Sequence, residues 1–188
     1  MNEKSFFDPA TFGLDDDDLI PESIALSVIS AAGGTVTGRT RLQKLVFLLD
    51  KLGLNSGFDY SYHHYGPYSS ALVDAVDFAK AFGLIKEEFN YRADGARYSV
   101  FTLENKLKNN PKKDFLSDDK IKSAFIAMNE SSATVLELAA TAHWLKYDEK
   151  ITHWENEIVK RKGRKTEDGR LGKAINLLDE LGLNLNKA

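Results

Sequence analysis

The sequence predicts a mostly helical α+β protein, an N-terminal winged-helix-like module with a β-hairpin wing followed by a C-terminal helical module. Three observations carry this reading. Between residues 20 and 82, apolar residues recur at helical spacing in three segments. Residues 84–103 change to two strand-like runs around Asp94-Gly95, a strong hairpin signal. From residue 118 onward the apolar spacing is helical again. Helix, helix, helix, hairpin is the winged-helix order.

Residues 1–19 read as an acidic tail, with four aspartates in a row at 15–18. A winged-helix-like domain is expected over 20–107, a linker with Asn109-Asn110-Pro111 and flanking lysines over 108–117, and a helical domain over 118–188. Pro21 suits a first helical turn, where its missing N–H costs nothing. That helix runs to residue 32 with Ile24 and Val28 inward, and Gly33-Gly34 ends it. The second helix follows residues 35–38. Thr40 and Gln43 have capping-box spacing, and Leu42, Leu45, Val46, Leu49 and Leu52 make its buried face. Arg41, Lys44 and Lys51 share the opposite side. Residues 58–65 alternate aromatic and polar side chains, as a short strand or extended loop that Gly66-Pro67 breaks. Ser69 or Ser70 caps a third helix to Phe82, with Leu72, Val76, Ala79 and Phe82 or Phe78 inward.

In the second half, Ser117 is the expected cap of a helix to residue 129 that aligns Ile121, Ala124, Phe125 and Met128. Residues 133–147 are apolar around most of the circumference, which predicts a helix buried in a second core. Ile151, Trp154 and Ile158 mark another helix, ended by Gly163. Leu171, Ala174, Ile175, Leu178 and Leu181 mark the last. The order of these final helices permits a second helix-turn-helix unit.

Composition narrows the function. The 188 residues are 43% hydrophobic and 28% charged, as in ordinary globular proteins. No apolar run approaches the ~20 residues that cross a bilayer, so no membrane partner is expected. The first residues lack an apolar signal core. The absence of cysteine removes disulfides, thiolate zinc sites and cysteine nucleophiles. A cytoplasmic protein is the expectation. The net charge is −3 and the pI about 5.8, whereas a dedicated nucleic-acid binder shows a basic excess. Any nucleic-acid contact must therefore come from a local patch.

Two patches qualify. The tyrosine-rich segment and the third helix offer Tyr60, Tyr62, His64, Tyr68, Asp74 and Asp77. Tyrosine is enriched at protein interfaces, and two carboxylates on a would-be reading helix repel a duplex that carries a phosphate charge every ~1.7 Å. These six residues are the expected protein-partner surface. The alternative is a nucleic-acid surface. It would use the basic turn Lys160, Arg161, Lys162, Arg164 and Lys165, then Arg170 and Lys173, with Arg39, Arg41 and Lys44 at the start of the second helix, where free N–H groups also favour anions. Enzymatic signatures are weak. His63 and His64 would point to opposite faces of a strand, and no HExxH, GxSxG, Walker or GxGxxG pattern occurs. No catalytic residue, metal ligand or cofactor is expected.

The stretch from Arg39 through Leu42, Gln43 and Lys44, followed by His64, Tyr65, Gly66, Pro67, Tyr68 and Ser69, resembles YwgA-like bacterial proteins. More distantly it is similar to the Panacea domain of SocA-type antitoxins. The resemblance spans about residues 21–103 and implies a recognition protein that contacts a protein partner, such as a toxin or regulator, directly. A non-enzymatic, antitoxin-like or adaptor function is therefore expected, with a winged-helix DNA-binding regulator as the alternative. Self-association into a homo-oligomer is compatible with either.

Overall fold

The structure is a computed structural model that describes residues 21–104 and 118–185. The acidic tail and the whole linker 108–117, Ser117 included, lie outside the described residues. The first half runs α1 (Pro21–Ala31), β1 (Thr35–Thr37), α2 (Arg39–Lys51), β2 (Ser61–His63), β3 (Gly66–Tyr68), α3 (Ser70–Ala81), β4 (Ile85–Tyr91) and β5 (Arg97–Leu103). The second half runs α4 (Asp119–Glu130), α5 (Ala133–His143), a π-helical turn (Trp144–Asp148), α6 (Trp154–Lys162), a 3-10 turn (Gly163–Thr166) and α7 (Arg170–Glu180). The fold is α+β and mostly helical.

β4 and β5 form the expected hairpin, with Ile85 opposite Leu103 and Tyr91 opposite Arg97. β1 pairs with the other side of β5, giving the sheet order β1-β5-β4. Three residues are too few to show a period, so residues 35–37 give no strand signal of their own. Their ladder with β5 and the burial of Val36 make the strand.

α2 is the axis of the molecule. Residues 42–49 are all buried, because α4 and α5 cover the side that the sequence assigns to solvent. One continuous hydrophobic cluster from Ile24 to Leu185 replaces the two expected cores. Lys44, expected on the exposed face, is 1% exposed. Arg41 donates to the carbonyl of Ser131 at 2.7 Å and to that of Asn129, acceptors left open at the end of α4. The capping box does not form. α2 starts at Arg39 behind Gly38, without a side-chain cap, and Gln43 is engaged elsewhere.

Gly66-Pro67 does not break the aromatic strand but supplies its partner. Ser61 pairs with Tyr68, Tyr62 with Pro67 and His63 with Gly66, leaving His64 and Tyr65 as the turn. Proline is tolerated because this two-stranded ribbon is all edge. Ser69 then caps α3, its hydroxyl accepting from the Leu72 N–H at 3.3 Å. Phe78 and Phe82 are not inward. The buried face of α3 is Leu72, Ala75, Val76 and Ala79, and α1 lies along this helix. The small side chains let the two helices approach, which turns the phenylalanines out at 39% and 45% exposure, ring centres 4.4 Å apart.

Asp118 caps α4, accepting from the N–H groups of Lys120 at 2.7 Å and Ile121 at 3.2 Å. α5 does not continue as α-helix to residue 147. It widens into the π turn, where the Glu149 N–H reaches the Trp144 carbonyl at 2.9 Å. Among the described residues no helix is long and apolar enough to cross a membrane.

Gly66 has φ +88, and a Cβ there would lie 2.6 Å from the buried Thr141 Oγ1. Gly66→Ala should cost about 2–4 kcal/mol in urea unfolding. Gly163→Ala, at φ +50 and ψ −129 with open space around it, should cost about 1–3 kcal/mol from backbone strain alone.

Candidate functional site

The β2–β3 hairpin is gripped from both halves of the chain. From α2, Gln43 pairs with the Ser69 backbone in both directions: its Nε2 donates to the carbonyl at 2.8 Å and its Oε1 accepts from the N–H at 2.9 Å. Lys44 Nζ, one residue on, donates to the Pro67 carbonyl. From α6, Lys162 Nζ donates to the His64 carbonyl at 2.9 Å and to Glu137 at 3.0 Å. Glu137 sits on α5 with its side chain 5% exposed, and also accepts from Lys165 at 2.7 and 2.8 Å. Thr141, one turn further along α5, presses its hydroxyl against Gly66 and makes no hydrogen bond.

Burial decides the charge state of the deepest lysine. Desolvation pushes the Lys44 ammonium down from 10.5 to about 7; Glu137 opposes this and the positive charges of Lys162 and Lys165 add to it. Burial also lowers Lys162, against its bond to Glu137. Arg161 lies 4.6 Å over the Tyr62 ring, donating to both oxygens of Glu149 at 2.8 and 2.7 Å and to Glu157 at 2.7 Å. The π turn brings Glu149 here, and its Oε1 also accepts from Trp144 Nε1 at 2.9 Å.

A second charged knot closes the base of the β4–β5 hairpin. Glu87, with its side chain 3% exposed, takes Arg39 at 2.8 Å and Lys80 at 2.7 Å. Burial pushes its carboxyl up, but hydrogen bonds from Lys80, Ser99 and Arg39 outweigh it and hold the group at about 2.

The expected residues thus separate into groups. Tyr60 is structural: its hydroxyl donates to Asp50 at 2.6 Å and its ring meets Phe47 edge-on at 5.1 Å. Tyr62 is half-buried beneath Arg161, and its hydroxyl is buried without a partner. Tyr68 is half-buried and stacks on His63 at 4.4 Å, while His64 is exposed against the Tyr65 ring. Asp74 and Asp77 are exposed, on the face of α3 that also shows Phe78. Of the basic set, Arg39 is committed to Glu87, Arg41 to the end of α4, Arg161 to two carboxylates, and Lys44 and Lys162 to the interior. Arg170 pairs with Asp168 at 2.9 Å and donates to the Lys165 carbonyl at 2.9 Å. Lys160, Arg164 and Lys173 remain exposed, and Lys165 is 39% exposed. The basic run is therefore not one outward patch.

Gln43, Glu137, Thr141, Glu149, Phe78 and Phe82 were not anticipated in these places. Glu137 had a signal, a single charge inside an otherwise apolar helix, which calls for a buried counter-charge. Among the described residues no group of three or more His, Asp or Glu could hold a metal ion. No protein-family model matches the chain, and no curated protein matches it either.

Lys44 gives a signed pH effect. Its native value lies below its unfolded one, so between about 7 and 10.5 the unfolded chain holds the extra proton and stability rises with pH. Lys44→Met should remove that gain, lowering the slope in this window by on the order of 1 kcal/mol per pH unit in urea titrations repeated across pH. Glu137→Gln, which leaves Lys162 buried without its counter-charge, should cost about 3–5 kcal/mol. Adding Lys162→Met to it should recover part of the loss, a coupling that a double-mutant cycle reads directly.

Proposed function

We propose that this chain is a non-enzymatic recognition protein of a bacterium or phage that acts in the cytoplasm by binding a protein partner, in the manner of an antitoxin or regulatory adaptor. Its N-terminal half works as a winged-helix-type module. The order α1-β1-α2-α3-β4-β5 with sheet order β1-β5-β4 supports that reading, with the β2–β3 ribbon inserted between α2 and α3. The sequence resemblance to YwgA-like and Panacea-domain proteins agrees with it.

One observation carries the preference for protein over nucleic acid. The cations that would meet phosphate are mostly spent on carboxylates and carbonyls of the chain itself, while α3 presents Asp74 and Phe78 outward, with Asp77 exposed in a pair with Lys80 and Phe82 at the helix end. An aromatic pair beside two carboxylates matches a partner surface with an apolar pocket and a basic rim. The β4–β5 hairpin adds Phe89, under Arg97 at 4.4 Å, and Tyr91, 69% exposed. Nucleic-acid binding keeps a narrower basis in Lys160, Arg164 and Lys173.

Replacing Phe78 with a photo-cross-linking phenylalanine should give a discrete protein adduct in the source cell. Asp74→Lys with Asp77→Lys should abolish it while circular dichroism stays unchanged. Adducts to nucleic acid alone, or a gel shift on duplex DNA lost in Lys160→Gln/Arg164→Gln, would replace this reading by the regulator.

A further inference from the structure

The hairpin of β4 and β5 has an open side. β4 ends the sheet order β1-β5-β4, and among the described residues no strand lies beyond it. Its ladder with β5 fixes which groups face outward. The Arg92 N–H donates to the Ala96 carbonyl at 2.9 Å and the Glu104 N–H to the Leu84 carbonyl at 3.1 Å, so the even-numbered residues of β4 bond to β5. The N–H and C=O groups of Ile85, Glu87, Phe89 and Tyr91 point to the open edge. Residues 88–97 are all exposed, so the outer half of the hairpin stands clear of the body. One face of it leaves the Phe89 and Tyr91 rings in solvent. The other face carries charge of changing sign. Lys86 pairs with Glu88 at 2.9 Å and Arg92 with Asp94 at 3.1 Å, all four side chains more than half exposed. Pairs of this kind contribute little and are readily shared with another chain.

Charged edge residues ordinarily keep strands apart, and here they exclude most ways for β4 to meet a copy of itself. An antiparallel two-fold centred on Lys86 or Glu88 sets that residue against its own copy. Centred on Phe89 it sets Lys86 against Arg92, and centred on Tyr91 it sets Glu88 against Asp94. Centring on Ile85 or Glu87 runs the copy's strand past Gly83, where β4 has not yet begun. Centring on Asn90 leaves no conflict. Phe89 then lies opposite Tyr91, Glu88 opposite Arg92 and Lys86 opposite Asp94, each pair occurring twice. Aromatic and opposite-charge pairs across strands are stabilising. We infer that two copies of this chain pair β4 to β4 about Asn90, joining their sheets into one of six strands. Phe89 and Tyr91 bond through their open backbone groups in both directions. This interface goes beyond the protein-partner reading of α3 and does not depend on it. The ladder is short, so the dimer is concentration-dependent.

The sequence has no cysteine, so a single introduced thiol reports the register. Residues opposite each other in a non-hydrogen-bonded pair have Cα atoms about 4.5 Å apart, within disulfide reach. Asn90→Cys should therefore form a disulfide dimer under mild oxidation. Glu88→Cys, about 13 Å from its own copy, should not, but should cross-link when mixed with Arg92→Cys. In sedimentation equilibrium the unaltered chain should pass from monomer toward dimer at about 0.1 mM. Glu88→Arg should weaken the dimer about tenfold, and adding Arg92→Glu should return most of the loss. These positions are exposed, so the dichroism spectrum should not change. The inference is overturned if the chain stays monomeric at about 1 mM, if the charge exchange restores nothing, or if Glu88→Cys cross-links to itself as readily as Asn90→Cys. Each of those results leaves cross-linking from Phe78 to a different protein unaffected.

Discussion

The burial of Glu137 is the constraint on which the arrangement of the two halves depends. A carboxylate inside an apolar helix is tolerated only with cations brought to it. Lys162 and Lys165 come from the far end of α6 and the turn beyond it, so satisfying one side chain fixes how that helix lies against α5. Lys162 spends another N–H on the His64 carbonyl, and Lys44 enters from α2 to the Pro67 carbonyl. A two-stranded ribbon is marginal by itself in water. Here its backbone is read by polar groups from α2 and α6, and its Gly66 lets it close on α5. Ion pairs of this kind add little net stability compared with apolar packing, but each alternative docking would strand a charge. Their contribution is to geometry.

A similar device recurs at smaller scale. Arg41 closes the end of α4, and Glu87 gathers Arg39 and Lys80 at the base of the β4–β5 hairpin. The π turn after α5 carries Glu149 to Trp144 and Arg161 together. In each case a long charged side chain crosses from one element to another and ends on a polar group there. These crossings let α2 be buried on every side while still carrying Arg41 and Lys44.

The functional consequence follows from where charge is spent. A run of five cations within six residues suggests a phosphate-binding turn when read along the chain. In space, its members diverge between the interior, neighbouring carboxylates and solvent. What remains outward is an acidic and aromatic face on α3 and a few cations around Lys165, two chemically different surfaces. A protein partner can complement both, and a uniform polyanion can complement only one.

The sequence by itself determined the helical segments, the β4–β5 hairpin and most buried positions, because period and turn chemistry are local properties. β5 begins at Arg97 and ends at Leu103 as its pattern requires, and Leu42, Leu45, Val46 and Leu49 are all in the core. The candidate site was legible only in part. The residues around Gly66-Pro67 and the lysines of the basic turn could each be singled out, but not the fact that they meet. Only tertiary structure decided that Lys44 is interior, that Gln43 reads Ser69 instead of capping its own helix, that Phe78 faces out, and that residues 35–37 are a strand. Each of these depends on a partner distant in the chain: α5 and the hairpin for Lys44, the start of α3 for Gln43, α1 for the packed face of α3, and β5 for β1. A side chain of mixed character takes its place from which neighbour arrives, and periodicity along one segment carries no information about that neighbour.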